Sequence, residues 1–113
     1  KLCQKMEVEF EEVDSKKRLH YHLAASFANN FTNHILSLTD ELVNKFKLEK
    51  KFFIPIANET FKKFQSNKSK ESQTGPAVRN DVKTLKKHEE ILKKSNYLNL
   101  YKIITKSIKK NDL

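Results

Sequence analysis

LHYHLAASFANNFTNHILSLT, residues 19–39, contains no Lys, Arg, Asp or Glu in a chain where 33% of residues are charged. Within and just beyond it, Leu19, Leu23, Phe27, Phe31, Ile35, Leu38, Leu42 and Phe46 recur every three or four residues. That is the period of an apolar helical stripe, which is expected to face inward. Ala24, Ala25 and Ala28 lie beside it and are small enough to let another helix approach closely. A second face carries His22, Ser26, Asn29, Asn30, Asn33 and Ser37, again at helical spacing. Burying an amide or hydroxyl without a partner costs about 1–3 kcal/mol. This row therefore either faces water or lines something polar: a ligand, ordered water or a partner's polar groups. The absence of charge favours the second reading, a site wall.

The rest of the composition narrows the function classes. The chain has 113 residues, enough for one domain with a modest core. Its one cysteine excludes an intramolecular disulfide, and no Cys/His group has zinc-ligand spacing. His20, His22 and His34 lack the i, i+4 spacing of a helical metal pair, so no metal site is expected. There is no apolar run long enough to span a membrane and no secretory signal pattern, which makes a reducing cytoplasm the expected location.

The net charge of +9 raises the question of nucleic acid. Residues 1–18 hold five basic and five acidic side chains and residues 19–39 none, so the whole excess lies in 40–113. Only Arg18 and Arg79 are arginines; every other basic residue is lysine. Base readout favours Arg forks, whereas scattered lysines on outer helix faces mainly solvate, so nucleic acid is not the expected partner.

Taken in order, KLCQKMEVEFEEVD (1–14) begins without Met, reads like the tail of a helix, then alternates in strand fashion at Val8-Glu9-Phe10. A lone strand leaves its backbone groups unpaired. The expectation is a remnant of a preceding domain, the alternative a ragged terminus packed on helices. A long helix should start at Asp14 or Ser15, either of which can cap it, and run to about Phe46, with the first break at 47–50. A second helix is expected over 51–65, with Phe53, Ile54, Ala57, Phe61 and Phe64 inward and Pro55 in its first turn. SNKSKESQ (66–73) reads as loop, followed by the chain's single glycine in QTGPAVRND (73–81). A third helix is capped by Asn80 or Asp81 and runs to about Lys94, with Val82, Leu85, His88 and Leu92 inward. A fourth spans about 96–109 and buries Tyr97, Leu100, Tyr101, Ile104 and Ile108. The expected fold class is all-α, a helical bundle built on one long N-terminal helix after a short stray strand.

Two constellations could carry chemistry. On the long helix, His22, Ser26, Asn29, Asn30 and Asn33 offer amides that donate and accept at once, suited to a carboxylate or hydroxyl. In QTGPAVRND, Gly75 permits a tight backbone, Pro76 stiffens it and Arg79 could grip an anion in bidentate fashion. The plainer reading of that loop is a helix connector in which Arg79 pairs with Asp81. For His88, on an apolar stripe, the plainer reading is a hydrogen-bonded core histidine.

RLHYHLAASFANNFTNHIL (18–36) together with ESQTGPAVRNDVKTLKKHEEIL (71–92) resembles the C-terminal domain called domain of unknown function 2520. That domain follows a Rossmann-like domain in bacterial proteins assigned as NADP-dependent oxidoreductases. The resemblance covers nearly all of residues 14–110. It implies an all-α domain like the C-terminal domain of 6-phosphogluconate dehydrogenase, a dimerisation element that closes the substrate cleft. Residues 1–14 would then be the end of the Rossmann-like domain and 15–113 the helical domain. NADP would be bound mainly by the absent domain, with no cofactor-binding residue assigned here, and the fragment alone would be inactive. It also implies a homodimer through the helices, with Asn30, Thr74, Arg79 and His88 near the cleft.

Related dehydrogenases often present Lys-x-x-x-Asn on this helix. Here Ser26 stands four before Asn30 and Asn29 four before Asn33, so a lysine proton relay has no residue to use. His22 or His88 is left as the acid/base candidate, since imidazole titrates near neutral pH. The expected set is thus His22, Asn30 and His88 as catalytic groups, with Ser26, Asn33, Thr74 and Arg79 binding substrate. A non-catalytic helical dimerisation module is the alternative.

Overall fold

A computed structural model describes residues 14–110, and all regular structure among them is helical. The stray strand expected at 8–10 lies outside the described residues. The chain divides into two units between Pro55 and Ile56.

In the first unit, Asp14 is the cap that starts the long helix. Its backbone is extended and its Oδ1 accepts from the Lys17 N–H at 2.8 Å. Helix α1 (Ser15–Ala25) runs without a break into a π turn (Ser26–Phe31) and then into α2 (Thr32–Lys45). The length matches the sequence expectation, but the π turn does not appear in it. The helix ends where Lys47 takes a left-handed conformation, φ 54°, while the Leu48 N–H reaches back to the Val43 carbonyl at 2.9 Å. This is a Schellman stop, usually made with glycine, at a lysine in a chain that has one glycine. A single 3₁₀ turn (Lys50–Phe52) follows, so the second helix starts later than the expected residue 51.

The apolar row is present but does not face inward. Leu19, Leu23, Phe27 and Phe31 are each more than half exposed, and Ile35, Leu42 and Phe46 remain exposed. Val43, one position off the row, is the buried side chain of this helix. Phe27 and Phe31 meet each other edge to face at 5.0 Å. Periodicity identifies an apolar face; it does not supply the element that covers it.

The second unit contains most of α3 (Ile54–Gln65), with Pro55 in its first turn as expected. Here too the expected inward side chains Ile54, Phe61 and Phe64 are exposed, while Phe53 and Ala57 are half-buried. Asn67 ends α3 in the left-handed region, φ 58°, with Lys68 N–H on the Lys63 carbonyl at 3.0 Å. Turns lead through Gly75, whose φ of 104° suits glycine alone, to a buried Ala77. Asp81 then caps α4 (Val82–Ile91), which pairs with α5 (Leu98–Lys110) as a helical hairpin. Leu85 is the buried centre of α4, and His88, Leu92, Tyr97, Leu100, Tyr101 and Ile108 are half-buried as the stripes predict. Val82 and Ile104 are exposed, against expectation. No described helix is long and apolar enough to cross a membrane.

Candidate functional site

The candidate residues fall in both units. His22 is in α1, Ser26 and Asn30 in the π turn and Asn33 in α2. Thr74 and Arg79 lie in the turns before α4, and His88 in α4 itself.

On the long helix, the Ser26 hydroxyl donates to the His22 carbonyl at 3.1 Å, a local back-bond to the helix. That bond uses the hydroxyl proton, so toward a ligand Ser26 can only accept, through its two lone pairs. His22, Asn30 and Asn33 are exposed. Asn30 and its neighbour Asn29 sit in the widened turn, where short amides compete with the backbone. π turns are frequent at functional sites. Thr32 is the residue that sequence reasoning missed. Its N–H donates to the Asn29 carbonyl, and its hydroxyl reaches the Phe27 carbonyl at 2.8 Å, five residues back. An α-helical threonine bonds three or four residues back, so a bond to the fifth marks the wider turn.

In the second unit the connector reading of the loop is realised. The Asp81 carboxylate accepts from the Thr84 N–H at 3.2 Å and from the Thr84 hydroxyl at 2.8 Å. Arg79 Nη2 stands 3.7 Å from the same carboxylate and is otherwise largely exposed. A contact of that length on an exposed guanidinium contributes little to stability and leaves donors for an anion. Thr74 is exposed, and its carbonyl accepts from the Gln73 side chain at 3.1 Å. His88 Nδ1 and the Tyr101 hydroxyl are 2.8 Å apart, with the rings edge to face at 5.8 Å. This is a hydrogen-bonded histidine between two helices, and the bond joins α4 to α5. Burial, with Glu89 nearby, pushes the Tyr101 hydroxyl above its usual pKa, so it stays protonated at neutral pH.

The Thr84 hydroxyl and N–H hold the Asp81 carboxyl below its ordinary pKa, with a smaller contribution from Arg79, against a partial opposing effect of burial. The cap therefore contributes fully above the unfolded carboxylate value of roughly 3.9. The contribution is lost as pH falls through the lower folded value. Asp81→Asn keeps an acceptor but cannot titrate. We expect its melting temperature to lie below wild type at pH 7, with the gap closing as the pH approaches 2. Thermal scans across that range measure it.

Among the described residues no three His, Cys, Asp or Glu side chains stand close enough to hold a metal ion. A Rossmann-like domain holds its dinucleotide on a glycine-rich turn opening a helix, and this chain's one glycine, Gly75, makes no such cradle.

The family model for the domain of unknown function DUF2520 matches residues 1–108. The chain belongs to this family. Among solved structures, a Bacteroides fragilis protein described as a "putative NADP oxidoreductase" is similar at 36% identity over 87% of this chain, with a TM-score of 0.81. The chain spans 38% of the length of that protein. Comparison with curated proteins gives no match. The fold is thus the all-α one that the resemblance in the two DUF2520 stretches implies.

Proposed function

We propose that this chain is the helical, substrate-side and dimerisation domain of an NAD(P)-dependent oxidoreductase whose nucleotide is bound by a separate Rossmann-like domain. The similarity to the B. fragilis protein, 36% identical across 87% of this chain, carries the reading. That protein is more than twice as long, which leaves room for a nucleotide domain beside a region like this one. The uncharged helix face supplies the two surfaces such a domain needs. Its apolar row packs against a second copy, and its amides meet a small polar substrate. Within the second unit, Arg79 offers a separate grip for an anionic group. With no lysine on the helix face, His22 or His88 is the acid/base group; the bond to Tyr101 leaves His88 only Nε2 for that role.

The test begins with the coding DNA upstream of Lys1. An open frame of roughly domain length, on the order of 100–200 residues, holding a strand-GxGxxG-helix pattern is the expected result. The whole protein should then bind NADPH in a fluorescence titration. Asn30→Ala should lower turnover roughly tenfold, the value of one hydrogen bond, with NADPH affinity unchanged. Absence of NADPH binding would leave the non-catalytic dimerisation module, which the exposed apolar row favours in its own right.

A further inference from the structure

The apolar row has a peculiarity of spacing. Leu19, Leu23, Phe27, Phe31 and Ile35 are each four residues apart, with no step of three. An α-helix advances about 100° per residue, so four such steps drift roughly 160° around the axis. In a plain α-helix, Leu19 and Ile35 would point to nearly opposite sides. The π turn at Ser26–Phe31 takes up one extra residue in the middle of the row. That residue takes back about 100°, leaving roughly 60° of drift, within the width of one helical face.

We infer that the π turn is a register device: it gathers Leu19, Leu23, Phe27, Phe31 and Ile35 into one continuous face that docks a second copy of this chain, and Thr32 locks it. The inference rests on the dimerisation reading above and says what builds that surface. A second copy fits because of charge. Each chain carries +9, so two copies repel wherever their lysines meet, and the stretch 19–39 is where they can approach without that cost. The lock is the Thr32 hydroxyl, which gives the Phe27 carbonyl a donor five residues on, at 2.8 Å. Valine has the same shape and no hydroxyl; serine keeps the hydroxyl.

Sedimentation velocity on the chain as it stands, with far-UV circular dichroism to follow helix content, tests this. Wild type and Thr32→Ser should dimerise alike. Thr32→Val should weaken the dimer roughly tenfold or more, because without the hydroxyl each copy can relax toward α-helical register and the face is no longer preformed. Deletion of Ala28 removes the extra residue and should keep the helix signal while weakening dimerisation by at least about a hundredfold. If wild type, Thr32→Val and the deletion all dimerise equally, the register inference is overturned and the dimer stands. A wild type that stays monomeric overturns the dimer and the inference with it.

Discussion

Phe31→Lys is expected to turn the proposed dimer into a monomer throughout the micromolar range. Phe31 is 52% exposed in a single chain and stacks edge to face on Phe27, so the pair presents a wide preformed aromatic surface. Truncating such an anchor commonly costs about 2 kcal/mol or more, and a two-fold interface repeats each change. Lysine also puts charge into a row that has none, on a chain already at +9. Like charges brought together across an interface cost several kcal/mol. The combined loss is at least about 4 kcal/mol, close to a thousandfold in Kd. Sedimentation equilibrium reads it directly. Ile103→Lys, at a still more open position on α5, should leave the association constant near wild type. Equal association of wild type and Phe31→Lys would remove the row from the interface.

The local signals in the sequence were strong where a single residue decides the backbone. Asp14 and Asp81 cap the helices that their positions predict, because a short carboxylate before an apolar repeat has few better uses than a free N–H. Pro55 opens α3, and His88 finds a hydroxyl on the neighbouring helix. Lys47 was harder to read. The helix stop at 47 needs a left-handed residue, and composition points to glycine or asparagine there, not lysine. The π turn was legible in principle. A run of apolar residues at a constant interval of four does not hold to one side of an α-helix, and an inserted residue is one way to restore it. Read as "three or four", the interval hides that mismatch.

What the sequence cannot supply is the identity of the covering surface. Leu19, Phe27, Ile54, Phe61 and Phe64 all obey the helical period and all remain exposed. The hydrophobic pattern records that a face is buried in the functional state, whether the cover comes from the same chain or another. The same limit applies to the candidate site. Its residue types were legible, and the structure adds which groups are already engaged: Ser26 with its own helix, Asp81 with Thr84, His88 with Tyr101. Asn30, Asn33 and Arg79 keep hydrogen-bonding capacity on exposed side chains. Asn30 and Asn33 on the long helix, and separately Arg79 in the second unit, are accordingly the side chains with donors to spare, and His88 holds two helices together.

Leu85→Ala should be the most destabilising single change among the described residues of the second unit. Leu85 is 4% exposed, and of the buried apolar residues Val43, Ala77 and Leu85 it has the largest side chain. Removing a buried leucine to the β-carbon typically costs about 2–5 kcal/mol, through lost transfer energy and the cavity left behind. Against a whole-domain stability of about 5–15 kcal/mol, that is a large fraction. The hairpin has little to offset it, since its other inward side chains are only half-buried and Val82 and Ile104 face solvent. Urea unfolding should show a lower midpoint with an unchanged slope, the sign of lost stability without altered compactness. Ile103→Ala, removing a similar volume at a 66% exposed position, should stay within about 0.5 kcal/mol of wild type. Equal losses for the two would mean that the hairpin is not centred on Leu85. The His88–Tyr101 bond would then be the main tie between α4 and α5, and Tyr101→Phe would become the variant that unfolds it.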